Sequence, residues 1–475
     1  MGYICQTKKS SAQAAFDIRR HCLRAKRVRS VDRAWIEKDQ VMRFRSHLGI
    51  FLGAAVWLLL TAAPRYALAA PQYARRYHLK CYACHTIAPV LNEQGYMFQR
   101  LGHHLPASLE PNSQVERIID LVRKEPEWSL TNNAAMAVSD FSFSAQRSTT
   151  QGQAPSSTSA IQVGAWNAYF GGWIPNTQFF YYSEFDIVTN GQTNPNMPNA
   201  HIGYVGGNAK SSWYVTVGRE HLQVTEGTRA AEIYSLLPTA PLIFENKGPT
   251  NFVLDQSPVA AEAGYTWSSS KYKDIFGVNL KVTNGDHADG SEILTSNSTK
   301  NSKDVWLDAD WWYAPESGIS FVTYQGQKNQ IQNTGLANQF NYYGRIRRDG
   351  AFANYMIGRN KVDLLTGYLH GNDDWEDPAT GSPASYLSNG YFAEIDYYIQ
   401  RGFALAGRYD RLRQDVTSGV HPANLEQWQT GVEKAFTSEG NIIGRVGVGN
   451  FHGVDPVAFT ATATRTYEAD IQFNF

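Results

Sequence analysis

The stretch Tyr467-Glu468-Ala469-Asp470-Ile471-Gln472-Phe473-Asn474-Phe475 alternates strictly, apolar at the odd positions and polar at the even ones. A period of two is the signature of a strand with two unlike faces. One face suits hydrocarbon and the other suits water. The same pattern recurs where Val305, Leu307, Ala309, Trp311 and Tyr313 oppose Asp304, Asp308 and Asp310, and where Phe403, Leu405 and Tyr409 oppose Arg408 and Asp410.

A soluble sandwich also alternates, with its apolar face turned inward. What separates the two here is the placing of aromatic residues near segment ends: Trp173, 179–182, 311–313, Tyr397 and Tyr398. That placing matches the aromatic girdles of outer-membrane barrels, as does a terminal Phe on an amphipathic strand. Seven short turn-rich connections fall at 171–176, 206–211, 267–274, 314–318, 358–361, 400–402 and 438–440. Between them lie longer polar stretches at 146–160, 189–199, 221–257, 284–302, 328–340, 371–387, 413–424 and 451–463. With 341–358 taken as one strand, the count is about 16. The expected fold is therefore all-β, a transmembrane antiparallel β-barrel over 126–475 with short periplasmic turns and long outer loops.

A barrel of this size has an aqueous lumen. Its polar side is expected to carry Asp308, Asp310, Arg345, Glu394, Asp396, Arg408, Asp410, Glu468 and Asp470 as ordinary lining. Acidic groups in two loops, Asp286, Asp289 and Glu292 in one and Asp373, Asp374, Glu376 and Asp377 in the other, suit hard cations. Solvated loop residues give the same pattern, so no site is assigned to them.

Upstream, Met42-Arg43-Phe44-Arg45 is basic, 48–63 is apolar and uncharged, and Ala67-Leu68-Ala69 is a small-x-small cleavage site. This is a signal peptide at 42–69, preceded by a basic extension at 1–41. The chain has 43 basic and 43 acidic residues; 1–69 holds 13 and 4 of them, leaving an acidic remainder of 30 against 39. Nucleic acid, which needs a basic face, is excluded as a partner.

Of four cysteines, Cys5 and Cys22 fall in the discarded part and Cys81 and Cys84 remain. They stand in Cys81-Tyr82-Ala83-Cys84-His85, the spacing that attaches a c-type haem. Cys81 and Cys84 would tether the porphyrin, and His85 would be the proximal iron ligand. A four-thiolate zinc site would need a second Cys-x-x-Cys, and none follows. The segment 70–125 thus reads as a haem c unit, with a short helix from Pro89 carrying Leu91, Phe98 and Leu101 and ending at Gly102. Candidate sixth ligands are His103 and His104, ahead of Met97, with His78 a lesser candidate. A haem left at one mouth would leave most of an insulating band about 25 Å tall uncovered, so 70–105 is expected to sit in or at the lumen.

Tyr73-Ala74-Arg75, the Cys81-x-x-Cys84-His85 run, Pro89, Leu91-Asn92, Gly95, Phe98 and Gly102 resemble the fused monohaem cytochrome and porin proteins of the bacterial outer membrane, the iron-oxidising outer-membrane cytochromes among them. That resemblance implies one-electron transfer between an extracellular donor, typically Fe(II), and a periplasmic cytochrome or copper protein. As an enzyme such a chain would be an iron(II):cytochrome c oxidoreductase. A diffusion porin with a structural or regulatory haem, and a haem peroxidase, are the competing readings.

Overall fold

The computed structural model describes residues 83–87, 90–92, Gly95 and Phe98, and most of 134–474; the longest gaps in the latter are 220–235, 245–257, 285–302 and 332–340. The chain divides into two units, Met1–Ala63 and Pro64–Phe475. The first, which holds the expected 1–41 extension and most of the expected signal peptide, lies outside the described residues.

Two short strands come first, β1 (His85–Ile87) and β2 (Val90–Leu91), paired antiparallel. The wall follows, with β3 (Ala134–Thr150), β4 (Ser156–Val163), β5 (Ala165–Trp173), β6 (Phe179–Thr189), β7 (Gln192–Asn208), β8 (Ser211–Arg219) and β9 (Val259–Ser268). It continues through β10 (Ile275–Asn284), β11 (Lys303–Ala314), β12 (Ser317–Ile331), β13 (Asn341–Ile357) and β14 (Val362–Glu376). It ends with β15 (Pro383–Gln400), β16 (Phe403–Val416), β17 (Val420–Ala435), β18 (Ile442–Val454) and β19 (Ala461–Asn474). Each wall strand pairs with its sequence neighbours, except that β4 and β5 both pair with β3 and not with each other, and β19 returns to β3, so the barrel closes.

Seventeen strands build this wall, yet β4 and β5 are two halves of one stave. Phe141 faces Val163 and Ala137 faces Asn167, so the ladder against β3 continues without a register step across Gly164. Counted by staves the barrel has sixteen, the even number that an all-antiparallel closed wall requires. The span 341–358 is a single strand, as the sequence suggests.

The connections differ from expectation in length. Polar runs at 146–160 and 189–199 read as long loops, but β3 extends to Thr150, β4 restarts at Ser156, and only 190–191 separate β6 from β7. Spanning needs about 9–11 residues per strand; β13 has 17 and β15 has 18. The surplus residues are polar on both faces because they stand above the apolar band, and this is why they look like loop in the sequence.

The outward face is apolar in the band. Leu280, Leu307, Phe321, Leu364, Ile395 and Leu405 are all exposed. Near the short turns an aromatic row runs from Phe179 through Tyr204, Trp213, Trp267, Phe276 and Trp311; Phe276 stacks on Trp311 at 5.5 Å and Phe179 meets Tyr204 at 5.1 Å. Toward the loops, Tyr368, Tyr391, Tyr409 and Trp428 form a second belt. Beyond that belt the outward side chains become charged, with Arg347 on Asp349 at 2.6 Å and Arg413 on Asp415 at 3.0 Å. Two aromatic belts bounding an apolar band are the surface of a membrane-spanning barrel. No described helix is long and apolar enough to cross a membrane.

Candidate functional site

Two regions carry chemistry: the Cys-x-x-Cys-His segment and the inner wall. In the first, Cys84 is in a turn and His85 opens β1, both half-buried. The turn is braced by Asn92, whose backbone N–H donates to the Cys84 carbonyl at 2.9 Å and whose Nδ2 donates to the Ala83 carbonyl at 3.2 Å. Its Oδ1 accepts from the Gly95 N–H at 3.0 Å, the bond of an N-cap to the third helical residue. Gly95 and Phe98 are helical and buried. The helix therefore begins after Asn92 rather than at Pro89. Leu91, expected on that helix, lies on β2 opposite His85, because the chain first folds back on itself. Cys81, Met97, His103, His104 and His78 lie outside the described residues.

These residues fit a covalent haem as far as they are described. A thioether and an axial imidazole both need partly open side chains on a chain held fixed. Cys84 and His85 meet the first condition and the triple contact of Asn92 meets the second.

The inner wall divides into two arcs. From β8 to β16 the inward side chains are buried. Ile243 and Phe244 join Trp306, Val322, Tyr324, Ile346, Phe352, Leu365, Leu369 and Phe392 in one apolar cluster. Leu236 and Leu237 join Tyr398, Ala404 and Ala406 in a second, nearer the short turns. The segment 236–244, part of the connection between β8 and β9, thus lies inside the barrel against its wall. Phe244 stacks on Phe352 with ring centroids 5.7 Å apart. Glycines in the wall make room: a Cβ on Gly390 would stand 2.3 Å from Ile243, and one on Gly431 would stand 3.0 Å from Leu237.

Polar groups in this arc are matched to one another. Tyr214 donates to Glu262 at 2.6 Å, Glu262 holds Lys281 at 3.0 Å, and Asn279 donates to Asp308 at 2.7 Å. Tyr324 donates to Asp304 at 2.5 Å. Arg348 grips Asp373 with both terminal nitrogens, and Arg408 bridges Asp410 at 2.9 Å and Glu394 at 3.3 Å. Burial of charge is tolerated only in such pairs.

The second arc runs over β17–β19, β3 and β5–β7. Here Tyr169, Glu184, Asp186, His201, Glu468 and Asp470 face inward and are only half-buried. Arg445 reaches Glu433 at 2.8 Å and Asp470 at 3.7 Å. Around the whole described wall, Glu184, Asp186, Glu262, Asp304, Asp308, Asp310, Asp363, Asp373, Glu394, Asp396, Asp410, Glu433, Glu468 and Asp470 face inward. Against them stand Lys281, Arg348, Arg408 and Arg445, each in an ion pair with one or more of them. The chain is a membrane-spanning antiparallel β-barrel with a mainly acidic inner wall.

Of the residues expected to line the lumen, Asp308, Asp310, Glu394, Asp396, Arg408, Asp410, Glu468 and Asp470 face inward. Arg345 is a correction: it is exposed on the outward face, and Ile346 and Arg348 take the inward positions. Above the apolar band both faces of β13 are charged, so composition there does not reveal which face is which. Asp373 also leaves its expected acidic loop for β14, where it is the partner of Arg348. Among the described residues, no group of three or more His, Cys, Asp or Glu side chains is placed to hold a metal ion. The segment 236–244 is what sequence reading missed. Its signal, Leu236-Leu237 and Pro241-Leu242-Ile243-Phe244 inside an otherwise polar connection, was present.

No protein-family model and no curated sequence matches the chain. Among solved structures, the anion-selective porin of Comamonas acidovorans superposes with a TM-score of 0.47 at 10% identity, covering 72% of this chain and 99% of that one. OmpF of Salmonella typhi, in complex with daunomycin, gives 0.46 at 16%, covering 72% and 98%. An OmpT loop-deletion variant of Vibrio cholerae gives 0.45 at 11%, covering 72% and 99%. The description of the barrel above rests on its own closed ladder and outward apolar band.

Proposed function

We propose that the chain is an outer-membrane electron conduit, a monohaem cytochrome c joined to a barrel, moving single electrons between an extracellular donor and periplasmic carriers. The observation that carries this reading is the Cys81-x-x-Cys84-His85 motif in a chain whose following residues build a membrane barrel. In this reading Cys81 and Cys84 tether haem c through thioethers, and His85 binds the iron from one face. The bound haem supplies a reversible one-electron centre. Asn92 holds the backbone of the motif in place, and His103 or His104, with Met97 third, would be the candidates to complete the iron's ligands. Fe(II) is the donor that the family resemblance implies, and a periplasmic cytochrome or copper protein would be the onward partner.

The barrel supports the reading through its insulating role. An apolar band about 25 Å tall blocks charge unless a carrier sits within it, and segment 236–244 narrows the lumen against free exchange of solutes. A second reading, a diffusion porin with a structural haem, is favoured by the half-buried polar arc over β17–β19, β3 and β5–β7. The two separate in liposomes loaded with a redox dye. Haem-loaded protein with Fe(II) outside should reduce the dye and show a reduced haem spectrum. The Cys84→Ser variant should lose the covalent haem signal on a denaturing gel together with dye reduction. A wild-type barrel carrying haem that leaves the dye oxidised would overturn the conduit.

A further inference from the structure

We propose that the barrel also conducts small hydrated cations, through the half of its lumen lined by β17–β19, β3 and β5–β7. Three observations carry this. First, the inner wall is asymmetric: the inward groups of β8–β16 are buried under or beside segment 236–244, whereas Glu184, Asp186, Glu468 and Asp470 remain half-buried and reachable by water. A path for ions runs where water already touches the wall. Second, the charge on that path has one sign. Its one inward guanidinium among the described residues, Arg445, is neutralised by Glu433 and Asp470. Among the described residues, no other inward lysine or arginine stands there to attract an anion. Third, Glu433 is fully buried, accepts from Arg445 through Oε2, and presents Oε1 with no hydrogen-bond partner. That is an acceptor left over once the protein's own cation is counted.

Rings of carboxylates in a low-dielectric wall concentrate cations and exclude anions. The selectivity is therefore assigned to Glu468 and Asp470 on β19 and to Glu184 and Asp186 on β6, with Arg445 acting as a fixed counter-charge. The species recognised is a small hydrated mono- or divalent cation. This inference does not depend on the haem.

The full-length protein is inserted in a planar bilayer and its reversal potential is read in a tenfold KCl gradient. The potential should lie on the potassium side, with the permeability ratio of K⁺ to Cl⁻ in favour of K⁺, because inward carboxylates concentrate cations. In the double variant Glu468→Gln/Asp470→Asn the ratio should fall at least about twofold, and the independent pair Glu184→Gln/Asp186→Asn should act in the same direction. Asp349→Asn, on the outward face, should leave it unchanged. Persistence of the heat-modifiable band on a gel shows that each variant folds. A reversal potential on the chloride side, no conductance at all, or a ratio unmoved in both folded double variants would overturn the proposal.

Discussion

Arg348 and Asp373 illustrate how a charge survives inside this wall. Both are buried, and each is the other's counter-charge across β13 and β14. Removing one leaves the other buried without compensation, which costs about 3–5 kcal/mol, whereas replacing both by apolar residues of similar volume is close to neutral. Arg348→Ala should therefore lower the urea midpoint markedly, and Arg348→Met with Asp373→Leu should restore most of it. Gly402 is a second single-residue constraint. It has φ +74 in the turn between β15 and β16, a conformation that a Cβ disfavours by about 1–2 kcal/mol. Gly402→Ala should be destabilised by about that much in the same measurement, with no change in conductance.

Among the elements, segment 236–244 packs, through its described residues, inside the barrel against the wall. It is held by contacts rather than by a ladder. Leu236 and Leu237 fill one pocket and Ile243 and Phe244 another. Truncating a buried phenyl ring costs about 3–5 kcal/mol, enough to free a segment anchored at so few points. In the variant Ile243→Ser/Phe244→Ala, single-channel conductance should rise and the connection between β8 and β9 should become cleavable by protease, while the barrel keeps its heat-modifiable mobility. If conductance is unchanged, the segment is not the constriction. The hairpin of β1 and β2 is an element of another kind, since two hydrogen bonds donated by Asn92 fix the backbone at Ala83 and Cys84 and a third, accepted from the Gly95 N–H, ties it to the following helix.

For the whole molecule, lipid is the solvent against which the outward face is selected. Leu280 and Leu307 sit opposite each other in the middle of that face. Leu307→Arg should destabilise the barrel by about 2–4 kcal/mol if this level is the bilayer midplane, as read from folding into vesicles over a urea series. The same substitution at Arg347's level, beyond the aromatic belt, is already native. The inner face follows a different rule, with mutually paired charges in one arc and half-buried carboxylates in the other. That contrast gives the lumen a sealed side and a wet side.

Alternation at 304–313, 403–410 and 467–475 was enough to state a barrel, its facing in the band and a stave count near sixteen, because a strand with lipid on one side must write a period of two into its sequence. The Cys81-Tyr82-Ala83-Cys84-His85 spacing is itself a feature of the sequence, and the haem it would hold is a proposal. The height of the wall, the outward turn of Arg345, the hairpin at 85–91 and the burial of 236–244 were settled only in three dimensions. Where both faces of a strand meet water the period carries no sign of direction. A segment that packs inside a barrel draws its partners from β11 to β17, far along the chain, and so leaves only an unexplained apolar run in its own neighbourhood.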